Sequence, residues 1–257
     1  MKIPYLKKFL VLGMMLFSIN MQSQVLLSLI FGDKLNSDGL EFGLEGGMNF
    51  SSISNLEGDQ PLSKFNLGFY FDIRLKDQWN LYTGVLVKSK LGDNDLSQND
   101  LDFLEIIPEP EEGKYSQNIE YFLIPALMKY TFNNRIYAEA GPQIGYMRKA
   151  WVEFNSDVGG VEIRKKLSNS VKLNKIDAGL AFGAGYRLLP KNGMTVGVRY
   201  YLGLANVYKG DNRYKHNSLF LKVNIPIGAK KAKEKAEEKE KEKEKGVTKK
   251  EESSVNE

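Results

Sequence analysis

The sequence contains no cysteine and a single histidine, His216, among its 257 residues. Disulfides, thiolate metal sites, cysteine nucleophiles and histidine-rich metal centres are therefore excluded. Long apolar runs are scarce as well. The run Phe9–Ile19 would span only ~16 Å as a helix, about half of a bilayer core. No segment approaches the length of consecutive apolar residues that predicts a transmembrane helix.

Charge is unevenly distributed along the chain. Lys2, Lys7 and Lys8 lie near the N-terminus, and the segment Ala229–Glu257 holds ten Lys and nine Glu. When the charges of these N-terminal lysines and of this C-terminal segment are subtracted from the formal charge of +4, the central body is close to neutral. Because this body has no basic stripe that could follow a phosphate backbone, nucleic-acid binding is not predicted.

The N-terminus has the layout of a secretory signal peptide. Lysines precede the apolar run, and the polar sequence NMQSQ follows it, with the small Ser23 before Gln24. We predict a signal peptide over residues 1–23, cleaved near Ser23–Gln24, and a lead-in over residues 24–38. The alternative is a membrane anchor lengthened by the second apolar run, Val25–Phe31, although polar residues interrupt the two runs.

The body of the chain is a succession of segments in which apolar side chains alternate with polar or small ones. Nine to eleven residues at a tilt of about 45° suffice to cross a membrane as a strand, and each segment is long enough. The alternation predicts eight strands: Gly39–Phe50, Phe65–Leu75, Trp79–Lys90, Tyr115–Phe132, Arg135–Arg148, Lys175–Leu188, Gly193–Val207 and His216–Ile227.

The links between these segments alternate in length. The long links are 51–64, 91–114, 149–174 and 208–215, and the tight ones are 76–78, 133–134 and 190–192. An even strand number, with short turns on one side and long loops on the other, is typical of bacterial outer-membrane barrels, whose termini are both periplasmic. A soluble β-sandwich has no reason to sort its links in this way.

The two faces of each strand also differ consistently. In the sixth strand Leu180 and Phe182 share an apolar face, while Asp177, Gly183 and Arg187 share the opposite one. A membrane barrel turns the apolar face toward lipid and the polar face inward. We therefore predict an all-β fold: an eight-stranded antiparallel transmembrane up-and-down β-barrel over residues 39–228. A soluble, lipocalin-like periplasmic barrel, with the apolar face inward, is the alternative.

Charged residues on the polar faces are predicted to fill the interior. Eight strands close around side chains rather than a wide lumen, and buried charges are tolerated when they are paired. We therefore predict a polar plug and no open pore. The predicted plug residues are Glu41, Glu45, Asp72, Arg74, Lys88, Lys129, Glu139, Asp177, Arg187, Arg199 and Lys222.

Five strings of the body occur in an order that is similar to a known family. EFGLEGGMNFSSIS, YFLIPALMKYTF, YAEAGPQIGYM, IDAGLAFGAGYRL and VRYYLGLANV resemble segments of the PorT-type outer-membrane β-barrel family, over residues 39–227. The resemblance implies a barrel fold and an outer-membrane location. Because the namesake of the family is implicated in protein secretion through the type IX system, the resemblance also implies an accessory role in secretion as one function.

Two motifs suggest more specific chemistry. His216 and Ser218 lie two residues apart on the last strand, and this resembles outer-membrane lipid A deacylases, which add a Glu. The last two predicted strands contain no Glu, so an ordinary histidine at a loop margin is the favoured interpretation. The link 91–114 is acidic, but DNDLSQND lacks the Gly and Glu of a calcium loop. We expect a solvated loop there rather than contact with divalent cations or lipopolysaccharide.

The C-terminal segment 229–257 is rich in Lys and Glu, with too few apolar side chains to build a core. We expect a periplasmic tail that is solubilising or contacts peptidoglycan or a secretion partner. The prediction for the whole chain is a non-enzymatic outer-membrane barrel without catalytic residues, metal or cofactor. Its predicted partners are outer-membrane lipid and lipopolysaccharide. The alternatives are a type IX-like secretion accessory and a lipid A hydrolase.

Overall fold

The computed structural model describes residues 39–58, 60–158, 161–188 and 193–227. The predicted signal peptide, the lead-in and the charged tail lie outside these residues. Within them, no helix is both long and apolar enough to cross a membrane. The elements in these ranges are β1 (Leu40–Ile53), β2 (Leu62–Lys76), β3 (Trp79–Asn94), helix α1 (Gln98–Leu104), β4 (Lys114–Thr131), β5 (Ile136–Val158), β6 (Val161–Ser168), a 3-10 turn (Ser170–Lys172), β7 (Ile176–Arg187), β8 (Thr195–Gly203) and β9 (His216–Pro226).

The strands pair in the order β4-β3-β2-β1-β9-β8-β7-β5-β6, and β4 also pairs with β5. The pairing therefore closes β1–β5 and β7–β9 into a ring of eight strands, each matching one predicted segment. Residues 43–225 make up one compact unit. The described ends of the chain belong to a second unit, in which the Ile227 N–H donates to the Phe42 carbonyl at 2.9 Å.

The predicted loop 149–174 is instead largely a β-hairpin. Strand β5 continues to its end at Val158 and returns as β6, which pairs with it from Val161 to Ser168. The strand persists because both of its faces are covered. Val152 and Phe154 are buried in the apolar core, and two lysine ammonium groups lie 5.0 and 5.1 Å from the Trp151 ring.

The predicted acidic link also contains structure, because Ser97 starts helix α1. The Ser97 hydroxyl accepts a hydrogen bond from the Asp100 N–H at 3.1 Å, and the Asp100 carboxylate accepts one from the Ser97 N–H at 3.0 Å. This reciprocal capping box satisfies two N–H groups that a helix start otherwise leaves without partners.

The outer face of the ring carries a band of exposed apolar side chains, here called the belt. Phe182, Val198 and Leu221, for example, are between 44% and 48% exposed. At the tight-turn edge of the belt, the Trp79 ring packs against Tyr130. The members of the belt are Met48, Phe65, Leu67, Leu75, Trp79, Ile124, Met128, Phe132, Ile136, Ile144, Tyr146, Ile176, Leu180, Phe182, Leu188, Met194, Val196, Val198, Tyr200, Leu202, Leu204, Leu219, Leu221 and Ile225.

The other edge of the belt is marked by charge, where Lys90 on β3 pairs with Glu120 on β4 at 3.5 Å. Beyond this level the chain forms a layer here called the cap, made of residues 51–58, 91–119, 150–158, 161–174 and 205–215. Its buried apolar side chains belong to the hydrophobic core: Ile53, Leu91, Leu96, Leu101, Leu104, Tyr115, Ile119, Ala150, Val152, Phe154, Leu173, Val207, Tyr208 and Tyr214. The cap is thus a packed layer rather than a set of independent loops.

Candidate functional site

The interior of the ring contains an ion-pair network centred on Arg199. Its guanidinium donates to Glu139 on β5 at 2.8 Å and to Glu45 on β1 at 3.3 Å, and the residue is 0% exposed. Lys222 on β9 donates to the other Glu139 oxygen at 2.9 Å. Charge-assisted hydrogen bonds of this kind compensate the large cost of removing charges from water.

A second ion pair lies nearer the tight turns. Lys129 on β4 donates to Asp72 on β2 at 2.5 Å, and neither side chain is more than 2% exposed. The Asn80 amide donates to the other Asp72 oxygen at 2.5 Å, and Arg187 approaches the same carboxylate at 4.0 Å. Asp72 therefore holds three polar groups from three different strands.

Two tyrosines fill the space between these ion pairs. The Lys222 ammonium lies 4.2 Å from the Tyr82 ring centroid, and that of Lys129 lies 4.4 Å from the Tyr137 centroid. Gly185 and Gly197 face Tyr137, and a Cβ at either position would overlap its hydroxyl. Glycines on the polar face of the strands thus make room for aromatic rings in the interior.

The interior on the cap side contains the predicted His–Ser motif. His216 Nε2 lies 3.2 Å from the Tyr121 hydroxyl, and the Ser218 hydroxyl donates to the Phe50 carbonyl at 3.4 Å. Both residues of the motif are buried, on the face of β9 opposite the belt. The two side chains therefore bind different partners inside the ring, away from the face that carries the belt.

Most of the predicted plug residues lie in the interior. The buried ones are Glu45, Asp72, Lys129, Glu139, Asp177, Arg199 and Lys222, and the Arg187 side chain is 14% exposed. Glu41 is also buried, and it belongs to the terminal unit. Arg74 and Lys88, in contrast, are exposed.

The exposure of Arg74 and Lys88 corrects the prediction for these two residues. The register between β3 and β4 shifts between Leu86 and Ser89, so that these two residues are both buried while Lys88 faces outward, 5.7 Å from the Phe65 ring. A β-bulge of this kind inverts the alternation on which the prediction rested. Arg74 lies close to the end of β2 at Lys76, where its side chain reaches solvent.

Two buried carboxylates organise the cap, in the link that was expected to be solvated. Asp93 accepts hydrogen bonds from the Ile53 N–H at 2.7 Å and the Asn94 N–H at 2.9 Å, and Asp100 accepts one from the Glu57 N–H at 3.0 Å. Burial raises the pKa of Asp93 to about 7, the charge of Asp100 adds to the rise, and the two N–H groups oppose it. Hydrogen bonds from the backbone of residues 51–58 compensate the burial of these two carboxylates.

The sequence also carries a family signature. A model of the family described as outer membrane protein beta-barrel domain matches residues 22–209. The chain belongs to this family. Membership confirms the prediction of an outer-membrane β-barrel protein at the level of the family, and it agrees with the ring of antiparallel strands.

Several solved structures are similar to this chain at low sequence identity. Ail, the attachment invasion locus protein of Yersinia pestis, in complex with sucrose octasulfate, is 12% identical with a TM-score of 0.40, over 73% of this chain and 99% of Ail. Neisserial surface protein A is 12% identical with a TM-score of 0.38, over 74% and 98%. OprG from Pseudomonas aeruginosa is 16% identical with a TM-score of 0.33, over 74% and 95%. No curated protein matches the chain.

Proposed function

We propose that the protein is a non-enzymatic β-barrel of the bacterial outer membrane whose interior is plugged and whose cap contacts partners. The Arg199 network carries this proposal. Arg199 binds Glu45 on β1 and Glu139 on β5, and these two strands stand four places apart in the ring of eight. The link therefore crosses the interior of the ring, and a barrel of this size has no further space for a wide channel.

The belt supports the placement in a membrane. Its exposed apolar side chains would be costly in water, and an outward apolar band flanked by aromatic residues is typical of transmembrane barrels. In this placement the tight turns face the periplasm and the cap lies outside. Both termini then lie in the periplasm, where the predicted tail would contact peptidoglycan or a protein partner.

The cap offers the contact surface. Ile107 and Val171 are 87% and 80% exposed. They flank an ion pair of 2.6 Å between Glu105 and Lys172, which holds the two segments side by side. We assign partner contact to this edge of the cap, because two large apolar side chains are exposed there beside the ion pair.

Two alternative functions are supported by fewer observations. An accessory role in type IX-like secretion, implied by the PorT-type resemblance, would use the same cap or the tail and would require a partner complex. A lipid A hydrolase would need His216 and Ser218 to act together at the lipid face. The inward position of both residues, and their separate hydrogen-bond partners, favour a structural role instead.

The proposal is tested on the full-length protein refolded in detergent and inserted into planar bilayers. We expect a gel band that shifts on boiling and no stepwise conductance. Reproducible conductance steps would refute the plug, and a water-soluble protein without a mobility shift would refute the barrel. Mass spectrometry of lipid A incubated with the protein should show intact acyl chains, whereas acyl loss that Ser218→Ala abolishes would establish the hydrolase.

Partner contact is tested by photocrosslinking in intact cells. A photoreactive residue at Ile107 should crosslink a partner, whereas the same residue at Asp77, in the tight turn at the opposite end, should not give that product. Equal products from both positions would contradict a role that is specific to the cap.

A further inference from the structure

A groove of about 270 Å³ opens on the outer face of the ring where the belt ends. Its lining includes Val87, Lys88, Lys90, Glu120 and Arg148, which come from β3, β4 and β5. The volume lies just below the range of about 300–1,000 Å³ that is common for small-ligand sites. It therefore suits a headgroup fragment better than a whole amphiphile.

Two register shifts produce this groove. One extra residue lies on β3 between Leu86 and Ser89, and the other is Arg148 on β5, opposite Glu120 and Tyr121 of β4. Each shift leaves an extra residue that faces outward, and in both strands that residue is a cation: Lys88 on β3 and Arg148 on β5. The bulges thus place two cations side by side at the edge of the belt.

The cations of the groove lack matching anions. Lys88 lies over the Phe65 ring at 5.7 Å and Arg148 over the Phe122 ring at 4.8 Å. Among the described residues, neither of them forms an ion pair with a carboxylate. Only Lys90 has one, Glu120 at 3.5 Å, and both side chains remain more than a quarter exposed. The groove is therefore lined by three cations and one carboxylate.

Further cations lie near the groove on β6, because Lys90 and Lys166 both lie over the Trp151 ring. Arg164 and Lys166 on β6 both approach a single carboxylate, Glu153, at 3.5 and 3.4 Å. An anion bound in the groove would lie near these cations, of which Arg164 also pairs with Glu162 at 3.2 Å.

We propose that this groove binds the phosphate of a phosphorylated lipid in the leaflet next to the cap, through Lys88, Lys90 and Arg148. Lysine and arginine bind phosphate through strong charge-assisted hydrogen bonds. The position of the groove selects a lipid over a soluble anion, because the belt begins directly below it at Phe65 and offers an apolar face to acyl chains. The inference rests on the membrane placement proposed above.

The test uses the full-length Trp79→Phe variant in zwitterionic detergent micelles, where Trp151 is the remaining tryptophan. The Lys90 and Lys166 ammonium groups lie 5.0 and 5.1 Å from its ring, so its fluorescence reports on the groove. The probe is bis-phosphorylated lipid A. We expect saturable binding. The same lipid A without phosphates should bind with an affinity at least about tenfold lower, since the loss of one charge-assisted contact lowers affinity by roughly this factor.

Two sets of variants locate the site. The triple change Lys88→Gln, Lys90→Gln and Arg148→Gln should weaken lipid A binding at least as much as removal of the phosphates, and the charge-conserving triple Lys88→Arg, Lys90→Arg and Arg148→Lys should retain binding. A matched control removes three exposed cations near the opposite end, with Arg74→Gln, Lys76→Gln and Arg135→Gln, and should bind like the parent protein.

Several outcomes would overturn the inference. They are equal binding by the glutamine triple variant, equal loss in the control, and equal affinity for lipid A without phosphates. Equal affinity for inorganic phosphate would replace the lipid by a soluble anion. Heat-shifted gel mobility and vesicle insertion are measured on every variant. If these persist without lipid A binding, the inference fails alone; if the parent protein does not insert, the proposed function fails with it.

Discussion

Arg199 and Glu139 form an ion pair of 2.8 Å in which neither side chain is exposed to solvent. The same carboxylate holds Lys222 at 2.7 Å, and the same guanidinium holds Glu45 at 3.3 Å. Arg199 and Glu139 are therefore each compensated by two partners of opposite charge. A network of this kind tolerates burial, but it depends on all of its members, because loss of one leaves others buried and unpaired.

Replacing Glu139 by Gln should cost about 3–5 kcal/mol of unfolding free energy, the usual cost of removing one partner from a buried ion pair. The measurement is urea unfolding in micelles, followed by tryptophan fluorescence. The control is Glu162→Gln, which removes a carboxylate that pairs with Arg164 at 3.2 Å and is 72% exposed. This variant should lose less than about 1 kcal/mol, and similar losses in the two variants would contradict the importance of the network.

Gly197→Ala should destabilise the ring by about 1–3 kcal/mol, a typical cost of overpacking. The new methyl group would overlap the Tyr137 hydroxyl and approach the Ala184 carbonyl. Urea unfolding of Gly197→Ala in a Tyr137→Phe background should therefore show a smaller loss than in the parent background. The same loss in both backgrounds would show that the Tyr137 hydroxyl does not fill the space at this glycine.

Leu221→Arg tests the membrane placement of the belt. The control is Leu167→Arg, because Leu221 in the belt and Leu167 on β6 in the cap are both 44% exposed. In lipid vesicles, arginine at Leu221 should cost about 2–4 kcal/mol, the penalty for a cation near the bilayer midplane, whereas arginine at Leu167 should cost little. Urea unfolding from vesicles measures both. Equal costs would show that the belt does not face lipid.

The stability of the cap should fall as the pH rises from about 4 to about 7. The pKa of Asp93 is raised from 3.8 to about 7 by burial, so the folded cap holds this proton over a range in which the unfolded chain has released it. A folded state that binds more protons loses stability as the pH rises. Urea unfolding of the Trp79→Phe variant, followed through Trp151 at successive pH values, measures the effect.

Asp93→Asn should remove this fall in stability between pH 4 and 7. The control is Asp211→Asn at a loop position, where hydrogen bonds from Arg213 lower the pKa of the carboxyl group. Its proton is released below this range in both states, so the fall should persist in the control. A fall that survives Asp93→Asn would assign the pH dependence to another group.

The ring could be predicted from sequence because each of its strands has one apolar face and one polar face. Leu180 and Phe182 lie on the exposed face of β7, and Asp177 is buried on the other, as the alternation indicates. Lys88 could not be placed, because a bulge is a local departure from period two. The pairing of Arg199 with Glu45 could not be predicted from the sequence either, since 154 positions separate the two residues.

The alternation of apolar and polar residues does not predict the structure of the cap, although the sequence contains two other signals for it. Ser97 and Asp100 have the spacing of a capping box, which would have indicated helix α1. The dipeptide Gly159-Gly160 separates two alternating runs, WVEFNSDV and VEIRKKLS, which is a pattern for a hairpin. The burial of Asp93 had no such signal, because it depends on contact with the backbone at Ile53 in a distant link.

The seam between β1 and β9 has a consequence for folding. Ser218 on β9 bonds to Phe50 on β1 across 168 positions of sequence, whereas β2 and β3, and β4 and β5, are joined by tight turns. Contacts between distant positions form slowly, because the chain must lose entropy before any bond rewards the approach. We therefore expect the hairpins to assemble before the seam, and closure of the seam to come late in folding.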